Sequence, residues 1–255
     1  MPVISVITPV HAGRSAVVLE AGESLAAQQL PADWTLEWLV QEDSATPVLA
    51  DAINAFPFAR YQANSEHLGI APSRNLALGR SAGTLVHVLD SDDVLLPGCL
   101  AVAIEAFATY PSIGWVATQA HDLLLDGSWR SFDPLIEPGP IPAGAVADYY
   151  FSAIDSATGF GRLPFHPNCT TLRADVVHAL GGWGGLPRME DLSLIAAITE
   201  LTPGYFTPEV GFLRRKHSGS VSVTDEWLHL MPESQTAVER RVQALRALGL
   251  HQRVL

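Results

Sequence analysis

The chain has 255 residues, 48% of them hydrophobic, which is enough for one sizeable core, and no apolar run reaches the length of about 18 residues that a membrane span needs. Its 27 acidic against 15 basic residues give a formal charge of -12, a field that repels phosphate backbones and disfavours a nucleic-acid partner. Cys99 and Cys169 lack metal-ligand or redox spacing, so no disulfide framework is expected, and the cytoplasm is the default location.

The N-terminus, MPVISVITPV, has no basic n-region and reads as a first core strand, not a signal peptide. Val3 to Thr8 is rich in β-branched residues, and Pro9 is expected to end the pattern by removing a ladder donor. A helix is expected over Ser15 to Leu30, a strand over LEWLV (36–40), a polar turn over QEDSAT, a helix over 47–55, and a short strand at ARYQ (59–62). SRNLALGRSA (73–82) reads as a helix and TLVHVL (84–89) as a buried strand. Strands alternating with helices imply an α/β fold with a mainly parallel sheet covered on both faces. The loops after Thr8, Val40 and Leu89 then share the carboxyl edge of that sheet, where open α/β folds bind ligands.

GCLAVAIEAFATY (98–110) continues as a helix, and the sequence changes character after GWVAT (114–118). LLLDGSWRSF resembles a hairpin turning at Asp126-Gly127, and DPLIEPGPIPAG reads as a proline-rich loop. ADVVHALGGW is expected to be a short helix ended by glycine, MEDLSLIAAITE a second helix, EVGFLRR a strand, and 225–247 a final helix. The expected organisation is a first part over 1–113, a second over 114–224 and a C-terminal helical segment over 225–255, integrated into one domain.

VHVL runs directly into Asp90, Ser91, Asp92 and Asp93. With side chains alternating along an extended segment, Asp90 and Asp92 can point to one side and offer hard oxygens to Mg2+ or Mn2+. Locally, the acids also suit a solvated turn, with Asp93 capping the next helix.

VISVITPVHAG, LVQEDSAT and EHLGIAPSRNLALGRSAGTLVHVLDSDD, in this order, resemble family 2 glycosyltransferases with a GT-A fold. The resemblance covers residues 3–110 and resumes at GGWGGLPRMEDLSL and LRRKHSGSVS. It implies a Rossmann-like sheet with a smaller acceptor-side lobe, 1–113 being the nucleotide-sugar-binding part and 114–224 the acceptor-side and catalytic part, and a nucleoside-diphosphate sugar donor, UDP or dTDP linked, with Mn2+ or Mg2+ as cofactor. On the donor side it implies contacts from Pro9, Asp43, Ser91 and an exposed Arg74, with Asp92 as primary metal ligand and Asp90 touching ribose or completing the coordination through water. His217 is placed near the metal or diphosphate.

Glu190 and Asp191 open an apolar-periodic helix, where adjacent residues differ by about 100° and so face different surroundings. The resemblance makes Asp191 the general base of an inverting transfer and leaves Glu190 as an acceptor-side or structural group. Trp183 reads either as a sugar-stacking surface or as core. No QxxRW signature follows, which favours a single transfer to a small or soluble hydroxyl acceptor over processive synthesis. A second copy of the chain remains an open partner. A nucleotidyltransferase and a non-catalytic carbohydrate-binding protein stand as alternatives.

Overall fold

The computed structural model describes residues 1–11, 15–153, 160–216 and 229–250. Strand β1 (Val3–His11) is followed by α1 (Ser15–Ala26), β2 (Thr35–Asp43), α2 (Ala50–Asn54), β3 (Ala59–Ala63), α3 (Ile70–Leu78) and β4 (Leu85–Val88). The chain continues with β5 (Val94–Leu95), α4 (Cys99–Thr109), β6 (Trp115–Leu123), β7 (Trp129–Arg130), β8 (Gly139–Ile141) and α5 (Ala145–Ser152). A 3₁₀ turn (Pro167–Cys169) then leads into β9 (Thr170–Arg173), α6 (Ala174–Ala179), α7 (Glu190–Leu201), β10 (Gly204–Arg215) and α8 (Met231–Ala247).

One sheet gathers these strands in the order β3-β2-β1-β4-β9-β6-β10-β5, with β7 paired to β6 and β8 to β10. The pairs β3-β2, β2-β1, β1-β4 and β6-β10 are parallel. Strand β9 runs antiparallel to both β4 and β6, so the expected mainly parallel sheet is mixed. This inserted strand joins the two halves, and a continuous core runs from Ile4 on β1 to Val242 on α8.

Several boundaries differ from the sequence expectations for physical reasons. Strand β1 passes through Pro9 to His11. Leu89 donates to the Ile7 carbonyl at 3.0 Å, so Ile7 faces β4; Pro9, two residues on, faces the same way, beyond the end of β4, where its missing donor costs no ladder bond. Gln41, Glu42 and Asp43, expected in a polar turn, are buried residues of β2. Their polar groups find partners there: Gln41 donates to Asn64 at 2.7 Å, while Glu42 accepts from the Val48 and Leu49 amides and the Tyr61 hydroxyl.

The hairpin at Asp126-Gly127 forms, with Gly127 at φ 80° and Leu123 opposite Trp129. The proline-rich segment after it contributes β8, paired with β10. Cys99 and Cys169 are buried free thiols. Among the described residues no helix is long and apolar enough to cross a membrane.

Candidate active site

The carboxyl ends of β1, β2 and β4 open onto one cleft of about 660 Å³, closed on its far side by the 3₁₀ turn, the start of α7 and the end of β10. Pro9, Asp43, Asp90, Ser91, Asp92, Glu190 and Asp191 all line it. Arg74 and Trp183 do not, and His217 lies outside the described residues.

Asp43 sits on the last residue of β2, buried, with four donors on its carboxylate. Oδ1 accepts from Asn64 Nδ2 at 2.8 Å and the Leu68 amide at 2.7 Å; Oδ2 accepts from the Gly69 amide at 2.9 Å and faces His67 Nδ1 at 2.7 Å. Burial pushes its pKa up, but the Leu68, Asn64 and Gly69 hydrogen bonds and the His67 charge outweigh it and hold the group below its ordinary value. Gly69 stands at φ 93° as the N-cap of α3, a conformation in which glycine avoids the Cβ penalty, and this aims its amide at Asp43. His67 is the exposed member of this set.

The turn after β4 closes with the Asp93 amide donating to the Asp90 carbonyl at 3.1 Å. Its acids have separate surroundings. Asp90 Oδ1 accepts from Arg74 at 2.7 Å and Oδ2 from Asn168 Nδ2 at 2.6 Å, leaving the side chain 28% exposed to the cleft. Asp93 is buried and accepts from the Arg215 amide at 2.9 Å, so it ties the turn to β10. It is not the cap of α4, whose N-cap is Gly98. Burial and the charges of Asp90 and Asp92 push the Asp93 pKa well up.

Arg74 departs furthest from expectation. It lies in the middle of α3 and is 1% exposed, with Nη2 on Asp90 and Nη1 on Glu190 at 2.8 Å. Its guanidinium lies 5.8 Å from the Trp183 ring centroid. Burial pushes the guanidinium pKa down, but the charges of Asp90, Glu190 and Asp191 outweigh it and hold the group charged. It is a buried brace between the two acidic regions, not an exposed nucleotide contact.

Trp183 is buried and lines neither cavity of the site, so the stacking role gives way to a packing one. Its backbone is clamped on both sides by Asn75, which donates to its carbonyl at 2.8 Å and accepts from its amide at 2.9 Å. Gly182, at φ 71°, leaves room for that clamp, because a Cβ there would stand 2.2 Å from Asn75 Oδ1.

Glu190 and Asp191 occupy the first turn of α7, where the helix dipole favours anions. Glu190 turns to Arg74 and Asp191 turns into the cleft. The Glu190 pKa is raised by burial and by the Asp191 charge, against the pull of Arg74; that of Asp191 is raised by burial, again against Arg74. Met189, just before them, adopts φ 62°, the one left-handed non-glycine among the described residues, at a cost of about 1–2 kcal/mol.

A second cavity of about 620 Å³ lies on the β6 side and shares His166, Met189, Asp191 and Arg214 with the cleft. Asp191 therefore stands where the two spaces meet. Arg214 is held by Asp122 at 2.8 Å, and Arg130 bonds the same buried carboxylate. Arg215 donates through Nε to the Asp92 carbonyl at 2.9 Å and pairs with Glu20.

The chemistry of these donors fits a divalent cation of the Mg2+ type. Among the described residues no group of three or more His, Cys, Asp and Glu is placed to hold a metal ion. An ion at the turn would thus take one or two carboxylates and fill its shell with water and ligand oxygens, as Mg2+ commonly does in nucleotide sites. The donors on both Asp90 oxygens suit it to a role through water.

Residues 5–179 match the family described as "Glycosyl transferase family 2". The chain belongs to this family. The family match runs from β1 through the Asp90–Asp93 turn to α6 and stops before α7. Among curated relatives, the O-antigen biosynthesis protein RfbC of Myxococcus xanthus is 30% identical over 142 residues, covering 54% of this chain and 11% of that protein. The uncharacterized protein y4gI of Sinorhizobium fredii is 26% identical over 133 residues, covering 51% of this chain and 14% of that protein. The chain therefore corresponds to a small part of these longer relatives. The structure of S. aureus TarS 1-349 in complex with UDP-GlcNAc is similar, with a TM-score of 0.70 at 17% identity over 95% of this chain and 65% of that one. TarS 1-349 in complex with UDP gives 0.69 at 16% identity over 95% and 64%. The fold of this family 2 member is GT-A.

Two groups in this family 2 site had little sequence signal. Asn168 lies 78 residues from the Asp90 it holds, in an FHPNC stretch with nothing to mark a partner. Asp122 stands in no motif, and only the return of β10 beside β6 brings Arg214 to it.

Proposed function

We propose that the chain is an inverting, metal-dependent glycosyltransferase. It moves a sugar from a nucleoside-diphosphate donor, UDP or dTDP linked, to the hydroxyl of a small or soluble acceptor. The observation that carries this reading is the position of Asp191, which lines both the cleft beside the Asp90–Asp93 turn and the second cavity. A donor in the first space and an acceptor in the second would meet at this carboxylate.

In the transfer, a lone pair of the acceptor oxygen forms the new bond to the anomeric carbon from the face opposite the diphosphate. The bond from that carbon to the phosphate oxygen breaks, and its electron pair leaves with the nucleoside diphosphate. The acceptor proton passes to Asp191. Burial raises the basicity of Asp191, which suits a group that must accept a proton near neutrality.

The case for a cation is electrostatic. Arg74 is the cation bonded to Asp90 and Glu190, while Arg214 is engaged by Asp122 and Arg215 by Glu20. A divalent ion held by Asp92, with Asp90 contributing through water, would balance this acidic edge and the charge of the leaving diphosphate.

Calorimetry with UDP, dTDP and GDP, with and without Mn2+, followed by release of nucleoside diphosphate from the matching sugars, tests the reading. Mn2+-dependent binding of one nucleotide, lost in Asp92→Asn, is the expected result. Asp191→Asn should keep that binding and lose transfer. Normal transfer by folded Asp191→Asn overturns the base assignment, and pyrophosphate release from a nucleoside triphosphate would favour a nucleotidyltransferase.

A further inference from the structure

The second cavity differs in chemistry from the donor cleft. Its walls are formed in large part by Phe132, Leu135, Leu163, Phe165, Leu192 and Met231. Much of its polar lining is already engaged within the protein. Gln119 Nε2 donates to the Phe132 carbonyl at 2.8 Å, His121 Nδ1 meets the Ala120 carbonyl at 2.9 Å, and Asp122 is held between Arg130 and Arg214. His166 Nδ1 accepts from the Asn168 amide at 3.2 Å. A bare sugar offers hydroxyls all round its ring, and each one buried here without a partner would carry a desolvation cost. An acceptor with one hydroxyl near Asp191 and an apolar body avoids that cost.

Phe132 and Leu135 are 44% and 46% exposed although they line the cavity, so they stand at its open end. Arg130 lies over the Phe132 ring at 5.5 Å to its centroid. Phe132 and Leu135 thus give the open end of the cavity an apolar rim.

The geometry points to an acceptor class: a hydroxyl compound carried on an apolar aryl or alkyl body, which occupies the cavity beside Asp191. Calling this compound the acceptor rests on the proposed transfer, whereas its binding does not require a donor.

The test uses the full chain and two probes, 4-nitrobenzyl alcohol, which carries one hydroxyl on an aryl body, and methyl β-glucoside, with binding measured by calorimetry. Burying the aryl ring should make the alcohol bind about tenfold or more tighter than the glucoside. Leu135→Asp, a change at an exposed rim position, should remove most of that preference. Equal binding of the two probes, or no binding of either, overturns the inference, as does an aryl preference untouched by Leu135→Asp. Nucleoside-diphosphate release from nucleotide sugars is measured on the same preparations. Aryl-selective binding without any release leaves the apolar site standing and removes the transferase reading; release without aryl selectivity does the reverse.

Discussion

Replacing Arg74 by methionine removes a buried cation and keeps much of its volume. In the wild type, its guanidinium bonds Asp90 at 2.7 Å and Glu190 at 2.8 Å. The two carboxylates would not suffer equally. Asp90 keeps Asn168 and a side chain 28% exposed, whereas the Glu190 side chain is only 11% exposed. Stranding one partner of a buried pair costs about 3–5 kcal/mol, and most of it here should fall on Glu190.

The sign of the pH dependence follows. Burial and the Asp191 charge already raise the Glu190 pKa, and losing Arg74 removes an opposing influence. A carboxyl whose folded pKa exceeds its unfolded value stabilises the fold as pH falls toward that unfolded value, about 4.3, and that contribution is lost as pH rises through the folded value. Urea unfolding of both proteins at pH 7.5 and 5.5 gives the comparison. Wild-type Glu190, at about 7, already takes up most of its proton over this range, so the deficit of Arg74→Met should shrink by about 0.5–0.8 kcal/mol at the lower pH, from 1.36 kcal/mol per pH unit for one proton. Taking the difference between the proteins cancels the shared titration of buried histidines. Adding Glu190→Gln should restore about 1–2 kcal/mol at pH 7.5 by removing the stranded charge. A deficit below about 1 kcal/mol, or one that does not change with pH, would refute the view of Arg74 as a brace.

Asp93→Asn keeps an oxygen for the Arg215 amide and removes a carboxyl whose pKa is raised by burial and by Asp90 and Asp92. Its effect should be slight at pH 5, while at pH 7.5 the variant should be the more stable by urea midpoint, because the wild-type group is disfavoured as pH rises. Gly182→Ala and Gly69→Ala separate strain from collision. Both positions have positive φ, but a Cβ at 69 meets nothing within 4 Å, while one at 182 meets Asn75 Oδ1 at 2.2 Å. Gly69→Ala should cost about 1–2 kcal/mol, and Gly182→Ala distinctly more by the same urea measurement. His166 is held neutral, its pKa pushed down to about 3 by burial and Arg214. Its contribution to stability is present above about pH 6.5 and is lost as pH falls toward the folded value, so His166→Gln should lessen acid destabilisation between pH 6.5 and 5, read by thermal melts.

Elements with local signals were legible in the sequence. The β-branched run of β1, the buried VHV of β4 and the Asp126-Gly127 hairpin each state their conformation within a few residues. The end of β2 was not legible, because Gln41, Glu42 and Asp43 look like loop residues until Asn64, Val48 and Gly69 arrive from later in the chain to satisfy them. Strand β9 was missed for a related reason: Thr170–Arg173 is only four residues long, and its place between β4 and β6 comes from pairing with residues far away in sequence. In the site, the DSDD run and the family resemblance singled out Asp90, Asp92 and Asp191 but could not reveal that Arg74 is buried. A basic residue on a short polar-looking helix reads as surface, and only the return of α7 supplies the second carboxylate that makes its burial tolerable.

That return links sheet topology to charge. Asp90 leaves the sheet at the end of β4, and Glu190 reaches it from the other half of the chain, yet one guanidinium on α3 bonds both. Asn168 fixes the second Asp90 oxygen from the 3₁₀ turn before β9, so two elements outside the acidic turn, α3 and the 3₁₀ turn, set where this carboxylate points. Asp93 performs the matching task on the β10 side through the Arg215 amide. With both ends of the Asp90–Asp93 turn anchored by protein groups, Asp92 is held between two fixed points before any ligand arrives. Such prior anchoring reduces the ordering cost that binding would otherwise have to overcome. Arg74 engages Glu190 and leaves Asp191, its helix neighbour, at the meeting point of the two cavities, which under the proposed transfer gives two adjacent acids on one helix different tasks.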